Sequence, residues 1–205
     1  MLDKSIPYQN IIMCADRDHL ICMEEPVLPE GFSFRLFCLG DEKQWARLEW
    51  AVGEFPTEKE ALDYFSKKYL PYTKLLQQRC WFVWDKQKDQ AAVTATAWYE
   101  QEKGKERLAS LHWVSTDPEY QRRGLGRAVV IQALKTLARM ENSQRIYLHT
   151  QTWSYQAVRL YLSLGFGAVR QGGFSSYSND YPLYLPTLWE KIPPADYETL
   201  LKTLV

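Results

Sequence analysis

The chain has no excess charge of either sign: lysine plus arginine and aspartate plus glutamate each total 25 of its 205 residues. Without a net field, neither nucleic acid nor an anionic membrane surface is an expected partner. Long hydrophobic runs are missing as well, and every apolar stretch falls far short of the ~20 residues that span a bilayer. The opening Met1-Leu2-Asp3-Lys4-Ser5 shows no signal-peptide pattern, so a cytoplasmic location is expected. Cysteine is sparse. Cys14, Cys22, Cys38 and Cys80 form no Cys-x-x-Cys pair, and His19, His112 and His149 stand apart, which leaves no metal-ligand spacing. Reduced, buried or partly buried thiols are the expectation for all four. Gly-Lys-Ser/Thr is absent, which excludes the phosphate loop of an NTPase.

What remains is an ordinary globular composition, 46% apolar and 24% charged, of a length that one domain accommodates. Residues 1–30, punctuated by Pro7, Pro26 and Pro29, read as an N-terminal arm, and residues 31–205 as the domain. Residues 32–37 alternate like a strand. Asp41 and Thr57 are expected to cap helices running to about Val52 and Leu70. Residues 81–84 and 92–99 read as paired strands, and a charged loop over 101–107 leads to a strand over 108–115. In residues 125–140, Val130, Leu134 and Leu137 recur at helical spacing, as do Val129, Ala133 and Met140, while Gln132, Lys135, Thr136 and Arg139 fill the other face. A strand over 145–150 and a helix capped by Ser154 and ended by Gly165 follow. Final strands are expected in 166–170 and within 184–191, with a short helix capped by Asp196. The fold class is therefore α/β, a mixed sheet with helices on both faces. An exposed edge strand near the C-terminus offers a route to a homodimer.

Between the strand ending near Ser115 and the helix starting at Leu125 lies Pro118-Glu119-Tyr120-Gln121-Arg122-Arg123-Gly124-Leu125-Gly126. A basic, glycine-punctuated turn that opens a helix is an anion cradle. Gly124 and Gly126 allow close backbone approach, and the first helical N–H groups lack intrahelical acceptors and favour phosphate. Arg122, Arg123 and Arg127 add planar forks suited to phosphate oxygens. Read as Gly-x-Gly-x-x-Gly, the motif has Val129 at its third glycine, and the acidic residue that would hold a ribose is missing. A dinucleotide is not the expected ligand.

Gln121-x-x-Gly124-x-Gly126 resembles the Gln/Arg-x-x-Gly-x-Gly/Ala signature of the GNAT acetyltransferases, and Tyr161-Leu162-Ser163-Leu164-Gly165-Phe166 is similar to the end of that family's second motif. The close resemblance covers residues 108–169. It implies a single GNAT-like domain that uses acetyl-CoA. By the same resemblance, Gln121, Arg122, Arg123, Gly124, Leu125, Gly126 and Arg127 hold the pyrophosphate, and backbone groups of Val114, Ser115 and Thr116 pair with the pantetheine arm. Ser154 stands where the family often has asparagine. Tyr161, two turns beyond it, matches the tyrosine that protonates the departing CoA sulfur.

The candidate base for deprotonating the amine is His112, at an offset that resembles arylalkylamine N-acetyltransferases, with Glu100 on a neighbouring strand as the alternative. The strand pleat places His112, Val114 and Thr116 on one side and Leu111, Trp113 and Ser115 on the other. Glu49 and Glu54 could hold an amine, and Trp45 and Trp50 could line an acceptor cleft. The expected activity is acetyl transfer to a primary amine of a small molecule, by direct attack in a ternary complex. A protein or peptide acceptor, with a groove flanked by residues 172–186, and a non-catalytic acyl-CoA-binding module are the alternatives.

Overall fold

A computed structural model describes residues 2–100, 107–172, 174 and 176–205, so residues 101–106 of the expected charged loop, and 173 and 175 of the segment 172–186, lie outside it. The elements in chain order are β1 (Asn10–Asp16), α1 (Arg17–Ile21), β2 (Phe32–Leu36), α2 (Glu42–Val52), α3 (Glu58–Lys68), α4 (Thr73–Arg79), β3 (Cys80–Asp85), β4 (Gln90–Glu100), β5 (Leu108–Thr116), α5 (Leu125–Met140), β6 (Arg145–Gln151), α6 (Tyr155–Leu162), β7 (Gly167–Ala168), α7 (Leu185–Lys191) and α8 (Pro194–Lys202). They pack into two compact units. One comprises Met23–Trp98 and Leu111–Leu137, the other Leu2–Cys22, Tyr99–Ser110 and Ala138–Val205. No helix of the described residues is long and apolar enough to cross a membrane.

In the first unit the strands lie in the order β2-β3-β4-β5. β2 pairs antiparallel with β3, and β3 with β4 from Cys80↔Thr96 to Asp85↔Gln90. Asp85 closes the β3–β4 turn by accepting from the N–H groups of Gln87 and Lys88 at 2.8 and 3.0 Å. Thr57 caps α3 as its sequence suggests, accepting from Glu60 N–H at 3.1 Å. Asp41 precedes α2 but does not cap it through its side chain. Its carboxylate is committed to the N–H of Cys38 at 2.7 Å and the Arg35 guanidinium at 2.8 Å.

The apolar stripe of α5, Val129, Val130, Ala133, Leu134 and Leu137, is buried as its period requires, whereas Met140, expected with it, is exposed at the end of the helix. Its opposite face departs from the reading of a polar surface, because Lys135 and Thr136 are buried too. The Lys135 ammonium donates to the Met23 carbonyl and pairs with Glu25 at 2.9 Å. Thr136 accepts from the Trp81 indole N–H at 2.9 Å and donates to the Gln132 carbonyl. A buried charge survives only when paired in this way.

In the second unit the order is β6-β1-β7, both pairings antiparallel. The first thirty residues, read as an arm, thus contain a strand whose Ile11, Ile12, Met13, Cys14 and Ala15 are buried. A short continuous apolar run bounded by Asn10 and Asp16 is the signal for such a two-face-buried strand. The strand expected within 184–191 is instead the helix α7. Tyr184, Leu188 and Ile192 recur every fourth residue and are buried, and Pro186 sits in the first turn, where its missing N–H costs nothing. Two expected caps fall away. Ser154 makes no capping bond to α6 and accepts from Gln151 Nε2 at 3.3 Å, while Pro193 occupies the cap position of α8 and Asp196 accepts from Arg159 Nε at 2.5 Å. Gly165 does end the α6 segment, at φ +86, with Phe166 N–H returning to the Tyr161 carbonyl at 3.1 Å.

Gly167 of β7 has Thr203 and Val205 against it. A Cβ at this position would stand 1.8 Å from the Thr203 carbonyl oxygen and 2.8 Å from Val205 Cγ2. Gly167→Ala should therefore destabilise the protein by ~1–3 kcal/mol through overpacking, read as a lower urea midpoint. An unchanged midpoint would contradict this packing.

Candidate functional site

β5 is where the strand pleat fails. Trp113 has φ +51, a left-handed conformation that costs a bulky residue of order 1–3 kcal/mol. The expected alternation does not hold across it, because consecutive side chains contact the same helices. His112 Nδ1 lies 2.9 Å from the Tyr69 hydroxyl at the end of α3. The Trp113 ring packs on Trp45 of α2, Phe55 and Tyr64 at centroid distances of 5.3, 5.5 and 5.2 Å. Two residues on, the buried Ser115 hydroxyl donates to Glu49 Oε2 of α2 at 2.6 Å. His112, Val114 and Thr116 are half-buried.

After β5 the chain makes a short helical turn, Pro118–Tyr120, capped by Asp117, whose Oδ1 accepts from Glu119 N–H at 3.0 Å. Three ties fix this turn, one on α2 and two on the β3–β4 hairpin. Asp117 Oδ2 pairs with Arg47 at 2.5 Å, the buried Tyr120 hydroxyl donates to Asp85 at 2.8 Å, and Asp117 N–H reaches the Ala92 carbonyl at 3.0 Å. The glycine turn then rises on a rigid base. Gln121, Arg122, Arg123 and Gly124 are exposed, with Arg122 at φ +61 and Gly124 at φ +77. Gln121 Nε2 donates back to the Thr116 carbonyl at 3.3 Å, and Ala128 N–H makes its helical bond to the Gly124 carbonyl. Leu125 is buried and anchors the helix start. A Cβ at Gly126 would lie 2.9 Å from Thr116 Oγ1, so α5 approaches the end of β5 closely enough that a larger residue would have to displace the Thr116 hydroxyl.

The first unit therefore brings together Val114, Ser115, Thr116, Gln121, Arg122, Arg123, Gly124, Leu125, Gly126, Arg127 and His112. This fits a phosphorylated ligand chemically: an exposed turn with two left-handed residues, adjacent guanidinium groups and the start of a 16-residue helix. Tyr161, Glu100 and Ser154 belong to the second unit. Tyr161 is buried, its ring 6.0 Å from Phe166, while Glu100 ends β4 half-buried. Trp50 projects from α2 into solvent, unlike Trp45, which is buried.

Glu49 carries more weight than its sequence context suggests. It is fully buried, and burial pushes its carboxyl up to about 8, against the lowering bond from Ser115 and with the added repulsion of Glu54. Its second oxygen, Oε1, has no hydrogen-bond partner among the described residues, and neither has Trp45 Nε1 one turn away. The available sequence signal was the four-residue spacing of Trp45 and Glu49, which puts an acid on the apolar face of α2.

The model of the acetyltransferase (GNAT) family matches residues 43–166. A curated relative, mycothiol acetyltransferase of Rothia mucilaginosa (strain DY-18), is 27% identical over 150 residues, 68% of this chain and 42% of its own. The chain thus spans less than half the length of that relative. Among solved structures, a GCN5-related N-acetyltransferase from Sphaerobacter thermophilus superposes with a TM-score of 0.60 at 19% identity, over 80% of this chain and 49% of that one. Glucosamine-6-phosphate N-acetyltransferase from Arabidopsis thaliana superposes at 0.50 with 16% identity, covering 75% of this chain and 99% of that one. These structures establish the α/β fold of that family for this chain.

Glu49 also makes stability pH-dependent. The folded chain keeps this proton up to about pH 8 and the unfolded chain only to about 4.5, so between those values the folded state binds more protons and stability falls as pH rises. The contribution is complete below the lower value and gone above the upper. Glu49→Gln removes this dependence. Its stability relative to the parent, read from urea unfolding at each pH, should climb between about pH 5 and about pH 8.5, by an amount on the order of a few kcal/mol at most. A difference constant with pH would place the carboxyl in contact with water.

Proposed function

The chain belongs to the GNAT acetyltransferase family, and from that premise we propose that it transfers the acetyl group of acetyl-CoA to a primary amine of a small molecule, by direct attack in a ternary complex. The observation that carries this reading is the glycine turn. Gly124 at φ +77 and the tight Gly126–Thr116 approach set an exposed, arginine-bearing helix start beside the end of β5. The pyrophosphate falls to Gln121 to Arg127, and the amide-bearing arm to the backbone of Val114, Ser115 and Thr116, which a strand edge can recognise by adding it as a further strand. A small acceptor is favoured because the mycothiol and glucosamine-6-phosphate enzymes are named for small molecules.

In the reaction the amine nitrogen attacks the thioester carbonyl carbon, the C–S bond breaks and the electron pair leaves on sulfur. The proton lost by the amine goes to His112, with Glu100 as the other base. His112 Nδ1 lies 2.9 Å from the Tyr69 hydroxyl, and in the tautomer that donates from Nδ1–H to that oxygen the opposite ring nitrogen keeps its lone pair for the amine proton. The Val114 N–H polarises the carbonyl oxygen. Tyr161 protonates the CoA thiolate, whose conjugate acid has a pKa of ~8.5.

Calorimetric titration tests the first step. Acetyl-CoA and CoA should bind and NADH should not, and Gly124→Val should weaken both CoA ligands at least tenfold. Tyr161→Phe should lower kcat by roughly 100-fold or more while acetyl-CoA affinity stays within a factor of two. Failure of acetyl-CoA to bind would remove the cradle assignment, and an unaltered kcat would remove the acid role of Tyr161.

A further inference from the structure

One face of α2 is chemically unfinished. Trp45 and Glu49 stand one helical turn apart, ~6 Å along the axis, and Trp113 and Ser115 of β5 stand two residues apart, ~6.6 Å along a strand. The spacings match, so the four side chains meet as two rungs: the Trp45 and Trp113 rings at 5.3 Å, and Glu49 Oε2 with Ser115 Oγ at 2.6 Å. Each rung leaves one buried polar atom unpaired among the described residues, Trp45 Nε1 on the first and Glu49 Oε1 on the second. An unpaired buried polar atom costs ~1–3 kcal/mol, so two on one helix face mark a place for ligand atoms. Around them stand the half-buried rings of Phe55, Tyr64 and Trp113, in contact with one another at 5.2 to 5.5 Å.

We infer that this face binds the acceptor, with Glu49 Oε1 accepting a hydrogen bond from a primary ammonium and the rings of Phe55, Tyr64 and Trp113 holding an apolar, ring-bearing body attached to it. This deepens the acetyl-transfer reading and rests on it. The charge of the ligand follows from the neighbours of Glu49. Exposed Glu54 at the end of α2 repels it, whereas Ser115 of β5 only donates to it, so a cation relieves the site and an anion aggravates it. Cys80 of β3 also feels Glu49, and burial pushes its thiol up to about 12, which keeps it neutral throughout. The body of the ligand follows from the rings. Burying apolar surface against them gains ~25 cal/mol per Å², whereas a polyol would lose water there without replacement partners.

Proton bookkeeping supplies a signature that a merely structural glutamate would not give. A free alkylammonium has a pKa of ~10, and Glu49 carries its own proton below about 8, so forming the ammonium–carboxylate pair at about pH 6.5 must expel one proton. At about pH 9 Glu49 is already ionised and no proton leaves.

The test titrates 2-phenylethylamine into the protein–CoA complex in buffers of different ionisation enthalpy, with glucosamine and 2-phenylethanol as comparators. We expect release of about one proton per 2-phenylethylamine bound at about pH 6.5 and close to none at about pH 9. Glucosamine and the uncharged alcohol should each bind at least tenfold more weakly. Glu49→Gln should abolish the proton release and raise KM for 2-phenylethylamine at least tenfold, with acetyl-CoA affinity unchanged, and Glu49→Asp should retain part of the release. If acetyl-CoA binds but 2-phenylethylamine expels no proton from the parent protein, or glucosamine binds more tightly, this inference is overturned while the acetyl-transfer reading stands. If acetyl-CoA does not bind, it is the transfer reading that falls. The parent-protein measurement decides even where a variant fails to fold.

Discussion

The left-handed backbone at Trp113 is the constraint on which the candidate site depends. A residue with a Cβ at φ +51 is strained, and nothing local to Leu111-His112-Trp113-Val114 favours it. The strain is outweighed by packing. Trp113 makes three ring contacts within 5.5 Å, each worth ~0.5–1.5 kcal/mol beyond the area it buries. The exchange has a geometric result: His112, Trp113 and Ser115 contact one set of helices instead of alternating across the strand. A regular pleat would have kept His112 and Trp113 on opposite sides, separating the candidate base from the ring that borders the candidate acceptor face.

A second constraint is the rigidity of the glycine turn. Anion binding through backbone N–H groups works only if those groups are already held in place, since ordering them on binding would subtract from affinity. Here the holding is done below the turn, by Asp117 on Arg47 and Tyr120 on Asp85, and the latter aspartate also closes the β3–β4 hairpin. The loop proposed to hold the pyrophosphate is therefore tied to two strands and to α2. The proposed site and the fold share the same hydrogen bonds.

Burial also decides which titratable groups have useful chemistry. Glu49 and Glu54 are five residues apart and chemically identical, yet one is fully enclosed and the other exposed, and burial holds the proton on the enclosed one to about pH 8. Lys135 is as deeply buried as many core residues, but its charge is matched by Glu25 and a carbonyl, so it is structural. The difference between them is the unpaired oxygen on Glu49.

The residues by themselves determined what depends on near neighbours. The bounds of α5 follow from its apolar period, the Thr57 cap from its hydroxyl and Glu60, and the exposed turn before α5 from glycines and arginines at a strand-to-helix junction. The two family motifs were legible for the same reason, since each is contiguous chain. What required a distant partner was not legible. The apolar run Ile11 to Ala15 becomes a strand because β6 and β7 flank it, and Tyr184, Leu188 and Ile192 become a helix face because their second-unit neighbours cover it. Asp41 and Ser154 lost their expected capping roles to partners their local sequence does not announce, Arg35 and Cys38 for one and Gln151 for the other. The turn of Trp113 and the burial of Glu49 are the clearest cases. Each is set by side chains 50 to 70 residues away, and only the folded chain brings those side chains to it.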